Sequence, residues 1–570
     1  MKRYLWAIEV AEEKPVGELI SDRYLLKQTQ LVLDTKPGLT PQLPSEIPES
    51  LVPYLRLFPY RLHVPTVYGA LGAEANSGWL LTYRSTVTDL DELLLPPLAQ
   101  AWPEAAALRQ LNWLWQMAAL WQPLHSEGVA SSLLAPALIR ANRGIVQLLQ
   151  LRQDEQPPTL KQLGQLWLKW LDDTATALQP FLQKLCQHLI SKAIQQPEQL
   201  LATLEQGLRQ GDRPQRTYCI FTATETGPSR DHNEDACFPL AGQTIHPARE
   251  DETLTIVCDG LGGQEGGEIA AQLAVEDLVE QIAISPEDDS NKLIAAIERA
   301  IVSANNVIAQ RNDREQRHES QRMGTTLTLA IAHSPYLYFS HVGDSRIYFI
   351  HAGGCHQVTV DDDVASREVR RGYAIYQDAV QSLNAGALYQ ALGIYPSDFL
   401  QPMVQRLVLD EDCVFLLCSD GLSDNELVEQ YWEEMLPIVQ QQASVEQVGE
   451  RLVKIANQLN GHDNITVALL YCQVAPAAGP ATPIKFSLVS PPPAAQDSAL
   501  PEPATEADST TLAASLPPQR PFRYWLLLMV VAVLGLGAVA YWLFSEPLRE
   551  RFDQRQERLS QSTIATRTKV

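Results

Sequence analysis

Ile256-Val257-Cys258-Asp259-Gly260-Leu261-Gly262-Gly263, continuing as Gln264-Glu265-Gly266-Gly267-Glu268, decides the reading of this chain. An apolar run that ends in Asp-Gly and opens into further glycines reads as a buried strand. It delivers one carboxylate to a place where backbone must approach closely. An isolated Asp-Gly between apolar residues is more often a hairpin turn. Here the arrangement recurs. Leu416-Leu417-Cys418-Ser419-Asp420-Gly421 is a second apolar strand ending in Asp-Gly, and Gly461-His462-Asp463-Asn464 leads into the apolar Ile465-Thr466-Val467. With Asn233-Glu234-Asp235, acidic residues collect at the ends of four expected strands. Such a set repels itself unless cations sit among it.

The chain has 570 residues, 45% of them hydrophobic, enough for at least two domains with cores of their own. A formal net charge of −24 argues against nucleic acid as a partner, because phosphate binding needs a basic face. The eight cysteines show no C-x-x-C and no zinc spacing, and several lie in apolar runs where a thiol packs as a small hydrophobe, which implies a reducing compartment. The apolar run after Met1 is broken at once by Glu9, so no secretory signal is read there.

Residues 1–212 form the first region. Strands are expected at Tyr24–Leu33, Val64–Tyr68 and Trp79–Tyr83, and helical blocks at Leu94–Leu124 and Pro158–Gln210. The tryptophans at 102, 113, 115, 121, 167 and 170 form stripes of packed core rather than a cofactor site.

His125-Ser126-Glu127-Gly128-Val129-Ala130-Ser131-Ser132-Leu133-Leu134-Ala135-Pro136-Ala137-Leu138-Ile139 resembles the catalytic-loop segment of eukaryotic-type protein kinases. Leu133 stands where that family has its catalytic Asp and Leu138 where it has a metal-binding Asn; near Gln150, where a metal-binding Asp belongs, there is none. The resemblance implies a degenerate, kinase-like regulatory domain with a regulatory partner of its own. A plain α+β domain is the other reading.

The second region, 213–474, carries the chemistry. Strands are expected at Tyr218–Glu225, Leu254–Val257, Thr325–Ala332, Tyr336–Val342, Arg346–Ile350, Cys413–Cys418 and Ile465–Tyr471, and helices at Glu268–Ile284, Lys292–Arg311 and Ser444–Asn460. Consecutive strands with helices clustered between them favour an α+β fold with stacked antiparallel sheets.

Six motifs in order then resemble the metal-dependent Ser/Thr protein phosphatases of type 2C: Thr226–Asp235, Asp259–Gly263, Gly324-Thr325-Thr326, Val342–Arg346, Ser419–Asp424 and Gly461–Asn464. The resemblance implies a four-layer α-β-β-α sandwich with two divalent cations, Mn²⁺ or Mg²⁺, at one end of the sheets. It implies that Asp259 bridges the ions, that the Gly260 carbonyl and Glu234 complete one, and that Asp420 and Asp463 hold the other. Asp344 and Asp424, with Asp420 shared, match a third, weaker metal position. The resemblance also implies that Asp235 orients metal-bound water and that Arg230 clamps two phosphate oxygens, a role that suits the guanidinium fork. A water between two cations becomes acidic enough to attack phosphorus.

The chain departs from the family at two places. Leu261 occupies a position where some members have a His that can protonate the leaving group, and Asp361-Asp362-Asp363 stands where members carry D-H-S before a mobile flap. His341 and His462 lie near the site in sequence but at no position that its motifs use, and for both the expectation is a structural role or one behind a metal ligand.

After Val474 the chain becomes rich in Pro, Ala, Ser and Thr, and 475–520 reads as a disordered linker. Residues 521–545 follow as a transmembrane helix, since Tyr524–Phe544 offers 21 uncharged residues with Tyr-Trp pairs at both ends. A polar tail, 546–570, closes the chain. Arginines at 549, 551, 555 and 558 outnumber Arg520 and Arg523 and by the positive-inside rule would keep that tail in the cytoplasm. Interleaved acids at 546, 550, 553 and 557 weaken that argument, and two folded domains cross a bilayer far less readily than a short tail. The expectation is therefore a single-pass membrane protein with cytoplasmic globular domains, acting on phosphorylated proteins. A catalytically silent scaffold and a phosphatase of a small metabolite are the other function classes.

Overall fold

The computed structural model describes residues 3–10, 15–43, 46–72, 78–82, 94–211, 214–262, 266–283, 285, 289–477 and 482–489. The transmembrane stretch Tyr524–Phe544 and the polar tail lie outside these residues. Among the described residues, no helix is long and apolar enough to cross a membrane.

Residues from 214 build the four layers that the motifs imply. One antiparallel sheet orders its strands as Ala236–Phe238, Thr255–Cys258, Leu327–His333, Tyr336–Val342 and Gln405–Val408. The other orders Gln243–Ile245, Gln215–Glu225, Ile465–Ala475, Cys413–Cys418, Arg346–His351 and Gly354–Gln357. The Cys413–Cys418 strand shows why its sequence is continuously apolar. Cys413, Phe415 and Leu417 pack into the core between the sheets, whereas Val414, Leu416 and Cys418 pack beneath the helices on the outer face. Alternate side chains point to opposite faces, so a strand covered on both sides loses the polar alternation.

The helices outside the sheets have local start signals. Ser444 and Gln447 form a capping box at Val445–Leu459, and Asp289 accepts the Lys292 N–H at the head of Ser290–Arg314. Each cap satisfies a backbone donor that the helix itself leaves unpaired.

The first region holds a six-stranded sheet and several helices. Arg3–Ile8, read in the sequence only for a leader, is a central strand between Leu31–Asp34 and Trp79–Thr82. The helical block expected at Leu94–Leu124 is divided into Leu98–Ala101 and Ala107–Ser126, and that at Pro158–Gln210 into Leu160–Leu168, Gln179–Ile190 and Pro197–Gln210. Prolines explain the later divisions: Pro180 and Pro197 sit in the first turn of their helices, where a missing N–H costs nothing. The tryptophan stripe is core, as expected, with Trp102 and Trp167 fully buried.

The two regions share that core. One apolar cluster runs from Leu111, Trp115 and Leu204 of the first region to Ile256, Leu329 and Tyr338 of the second. Polar anchors reinforce it at the Asp410-Glu411 turn. Arg109 Nε donates to Asp410 Oδ2 at 2.5 Å, Asn112 Nδ2 donates to the same oxygen at 2.9 Å, and the Gly144 N–H donates to Glu411 at 3.1 Å. Arg406 pairs with Glu205 and lies over the rings of Trp115 and Tyr336. The disordered linker expected from residue 475 is corrected over 482–489. Ile484 is buried, its N–H donates to the Ala177 carbonyl at 2.8 Å, and Phe486 packs against Phe181 and His188. Apolar residues within a Pro/Ala-rich stretch suffice to hold it down, which a composition average over 475–520 conceals.

Candidate active site

Asp259 stands at the end of the Thr255–Cys258 strand, held by its backbone. Its N–H donates to Thr326 Oγ1 at 3.0 Å, and its carbonyl accepts from the Thr326 N–H and from Thr325 Oγ1, both at 2.8 Å. This lock accounts for Gly324-Thr325-Thr326, whose role the motif alone did not explain. Glycine is required immediately afterwards. A Cβ on Gly260 would stand 2.4 Å from the Gly267 carbonyl and 2.5 Å from that of Glu234, so only two glycines can cross here.

Asp420 opens a short helix behind Ser419, and Ser419 Oγ donates to Asp235 Oδ2 at 2.8 Å. Asn464 closes the arrangement from the other side. Its Oδ1 accepts the Glu234 N–H at 2.8 Å, while its Nδ2 donates to the carbonyls of Thr226 and His232 at 2.8 and 2.9 Å. One buried amide therefore fixes the whole loop that carries Arg230, Glu234 and Asp235. Asn464 closes the Gly461–Asn464 motif, but nothing in the sequence shows what its amide meets.

The carboxylates meet in space as expected. Burial raises the pKa of Asp259 far above the ordinary carboxylate range, and the charges of Asp235, Asp420, Asp344 and Asp463 raise it further. Asp235 and Asp420 are raised by burial and by their acidic neighbours, and Asp344 is pushed up to about 7 by burial and by Asp420. Glu234 is also raised, by burial first, although Arg230 opposes the shift. Asp235 Oδ1 and Asp420 Oδ1 are buried without a hydrogen-bonding partner. Orphaned oxygens among mutually repelling buried acids are the donor set that hard divalent cations require, so the residues fit such ions. Among the described residues, no three His, Cys, Asp or Glu side chains are already drawn together as a metal-holding group. Arg230 Nη2 lies 2.6 Å from Asp463 Oδ2, pairing with one of the acids itself.

Asp424 lies at the edge, its Oδ2 3.1 Å from His462 Nε2, so His462 stands behind an acid of the cluster. His341 Nε2 bonds the Val360 carbonyl at 2.7 Å and does not enter the site. Asp361, left without a role by the sequence, takes Arg346 in a fork, with Nε to Oδ1 at 3.1 Å and Nη2 to Oδ2 at 2.7 Å. Asp363 caps the following helix through the Ser366 N–H, and Asp362 accepts the Gly343 N–H beside Asp344. The triple Asp is therefore a brace for the metal-side loops.

The family model described as "Protein phosphatase 2C" matches residues 229–459. The protein phosphatase PhpP of Streptococcus pneumoniae is 30% identical over 252 residues, covering 44% of this chain and 96% of PhpP. The serine/threonine protein phosphatase PstP of Mycobacterium tuberculosis is 29% identical over 246 residues, 43% of each chain. A crystal structure of PstP aligns with 45% of this chain and 98% of its own, at 26% identity and a TM-score of 0.37. A structure of the PstP catalytic domain described as in complex with two manganese ions aligns at a TM-score of 0.36. With nearly the whole of PhpP matched at this identity, and the acidic motifs folded into one buried cluster, the chain belongs to the protein phosphatase 2C family of protein-serine/threonine phosphatases.

Proposed function

We propose that this chain is a membrane-tethered signalling phosphatase that removes phosphate from phosphoserine and phosphothreonine in proteins, with a catalytically silent kinase-like region at its N-terminus. The observation that carries the catalytic reading is the burial of Asp235, Asp259, Asp344 and Asp420 within Coulombic range of one another and of the half-buried Asp463. Glu234, Asp259 and the Gly260 carbonyl would hold one divalent cation, Asp259, Asp420 and Asp463 a second, and Asp344 and Asp424 a weaker third. Bound Mn²⁺ or Mg²⁺ supplies Lewis acidity that lowers the pKa of water and offsets charge on the phosphoryl oxygens.

The chain's own residues do the rest. Arg230, half-exposed at the rim, turns from Asp463 to two phosphoryl oxygens and orients the monoester. Asp235, fixed by Ser419, orients the attacking water. Water attacks phosphorus as the bond to the serine or threonine oxygen breaks, and solvent protonates the leaving alkoxide, because Leu261 offers no acid. The test is phosphate release from a phosphopeptide panel and from p-nitrophenyl phosphate by the full chain, with Mn²⁺ present and chelated. Turnover of small phosphorylated metabolites in preference to every phosphopeptide would overturn the protein-substrate reading, and no turnover at all would favour the scaffold.

The silent-kinase reading is supported by Leu133, fully buried in the turn Ala130–Leu134, and by Gln150, whose Oε1 accepts the Trp6 indole N–H at 2.9 Å. Neither position offers an acid. The tether reading rests on Tyr524–Phe544 and its aromatic ends. With both globular regions cytoplasmic, protease added to spheroplasts should clip a C-terminal epitope tag and spare the phosphatase. Cleavage of the phosphatase with the tag protected would reverse the topology.

A further inference from the structure

The first region does more than share a core with the phosphatase, because two of its arginines reach the loops beside the outer carboxylates. Arg61 follows the short helix Phe58–Tyr60, lies over the Phe58 ring, and donates from Nη2 to the Thr359 carbonyl at 2.5 Å. Thr359 stands two residues before Asp361. Asp361 grips Arg346, and Arg346 Nη1 donates to the Ser423 carbonyl at 3.2 Å. Arg346 is two residues from Asp344, and Ser423 immediately precedes Asp424. Two side chains, Arg61 and Arg346, thus link the first region to both outer acids through the Thr359–Asp361 segment.

Two further contacts act on the same loops. Asn425 and Glu426 both adopt left-handed backbone, with φ of 59° and 56°, although neither is glycine. Left-handed backbone is disfavoured for any residue with a Cβ, so the turn persists only where its surroundings hold it. Arg3 Nη2 pairs with Glu426 Oε2 at 3.0 Å from the first region's central strand. The Phe58 ring stacks on Tyr376 at 5.7 Å, within the segment that follows Asp361-Asp362-Asp363.

We propose that Arg61 and Arg3 are positioning residues of the phosphatase site, through which the first region sets the placement of Asp344 and Asp424 and of the segment bearing Tyr376. The inference rests on the reading of these carboxylates as cation ligands. Its consequence is that the first region tunes cation affinity and substrate engagement without touching either.

The test uses the full chain. Arg61→Ala should weaken Mn²⁺ binding, measured by calorimetry without substrate, about tenfold, the lower end for partners that orient metal ligands. It should raise the phosphopeptide KM severalfold with a smaller change in kcat, and speed hydrogen exchange across 359–379. Arg61→Lys, which keeps a donor for the Thr359 carbonyl, should recover most of the Mn²⁺ affinity. Glu205→Gln, which breaks the Arg406 anchor at another part of the same interface, serves as the control and should lower Tm while leaving Mn²⁺ affinity and KM in place. If Arg61→Ala lowers Tm yet leaves both parameters as they were, the residue is only structural and the proposal fails. Should Arg61→Ala not fold, Arg3→Ala decides, because that pair is partly exposed. A two- to threefold loss of Mn²⁺ affinity with faster exchange over 423–429 supports the proposal, and no change in either overturns it. Asp259→Asn, run alongside, separates this failure from failure of the site reading, since retained turnover there would remove the site itself.

Discussion

Arg230 Nη2 lies 2.6 Å from Asp463 Oδ2, so the guanidinium that we propose grips phosphate already pairs with a carboxylate of the acidic cluster. Arg230→Ala should raise KM for phosphopeptides about tenfold or more with a smaller change in kcat, since the residue binds phosphate in ground and transition states alike. Steady-state kinetics at saturating Mn²⁺ check this, and an unchanged KM would remove Arg230 from substrate binding.

Burial and four acidic neighbours raise the pKa of Asp259 well above the ordinary carboxylate range. Asp259→Asn keeps the volume, removes one of the repelling charges and takes away the bridging ligand. Turnover should fall at least about a hundredfold, as for removal of a principal electrostatic group, while the Tm of chelated protein rises. Loss of activity accompanied by a lower Tm would point to a folding defect instead.

Asn464 satisfies one N–H and two carbonyls of the loop that bears Glu234. Asn464→Ala leaves those groups without partners at a buried site, which costs about 1–3 kcal/mol for each unsatisfied group. Urea unfolding should show a loss of that order, and activity should fall with it. Asn464→Asp, which keeps the acceptor but sets a carboxylate oxygen against two carbonyl oxygens, should be no more stable than Asn464→Ala.

His63 and His351 are held neutral. Burial lowers their pKa values to about 4 and about 3, against an ordinary value of 6.5. Below pH 6.5 the unfolded chain therefore binds protons that the folded chain refuses, so stability falls as pH drops from 6.5 towards 4. At about pH 5 each histidine should cost about 2 kcal/mol relative to neutral pH. His63→Gln should remove its share of that slope in paired Tm measurements at neutral and acid pH. An unchanged slope would mean that His63 protonates in place.

With no acid at Leu133, Leu138 or Gln150, the first region should transfer no phosphate. The full chain carrying Asp259→Asn, which cannot erase its own product, should incorporate no label from Mg-ATP. Steady incorporation would end the silent-kinase reading.

The sequence determined the catalytic half of this protein almost unaided. Asp-Gly at the ends of apolar strands is a local signal, because backbone crossing at Gly260 and Gly267 admits no side chain and the acids must sit where the strands stop. The apolar runs within Thr255–Cys258 and Cys413–Cys418 likewise marked buried strands, and the structure covers both on each face. Only the tertiary structure decided what holds the acids in place. Thr326 beneath Asp259, Asn464 beneath Glu234 and Asp361 against Arg346 are pairs separated by 67, 230 and 15 residues, and no periodicity encodes a contact across such distances. The same holds for the first region. Its helices were legible as apolar stripes, but nothing local told that Arg3–Ile8 lies mid-sheet, that Ile484 returns to the helices, or that Arg61 reaches Thr359. Such contacts follow from how whole elements pack, a property of the assembled core rather than of any stretch of chain.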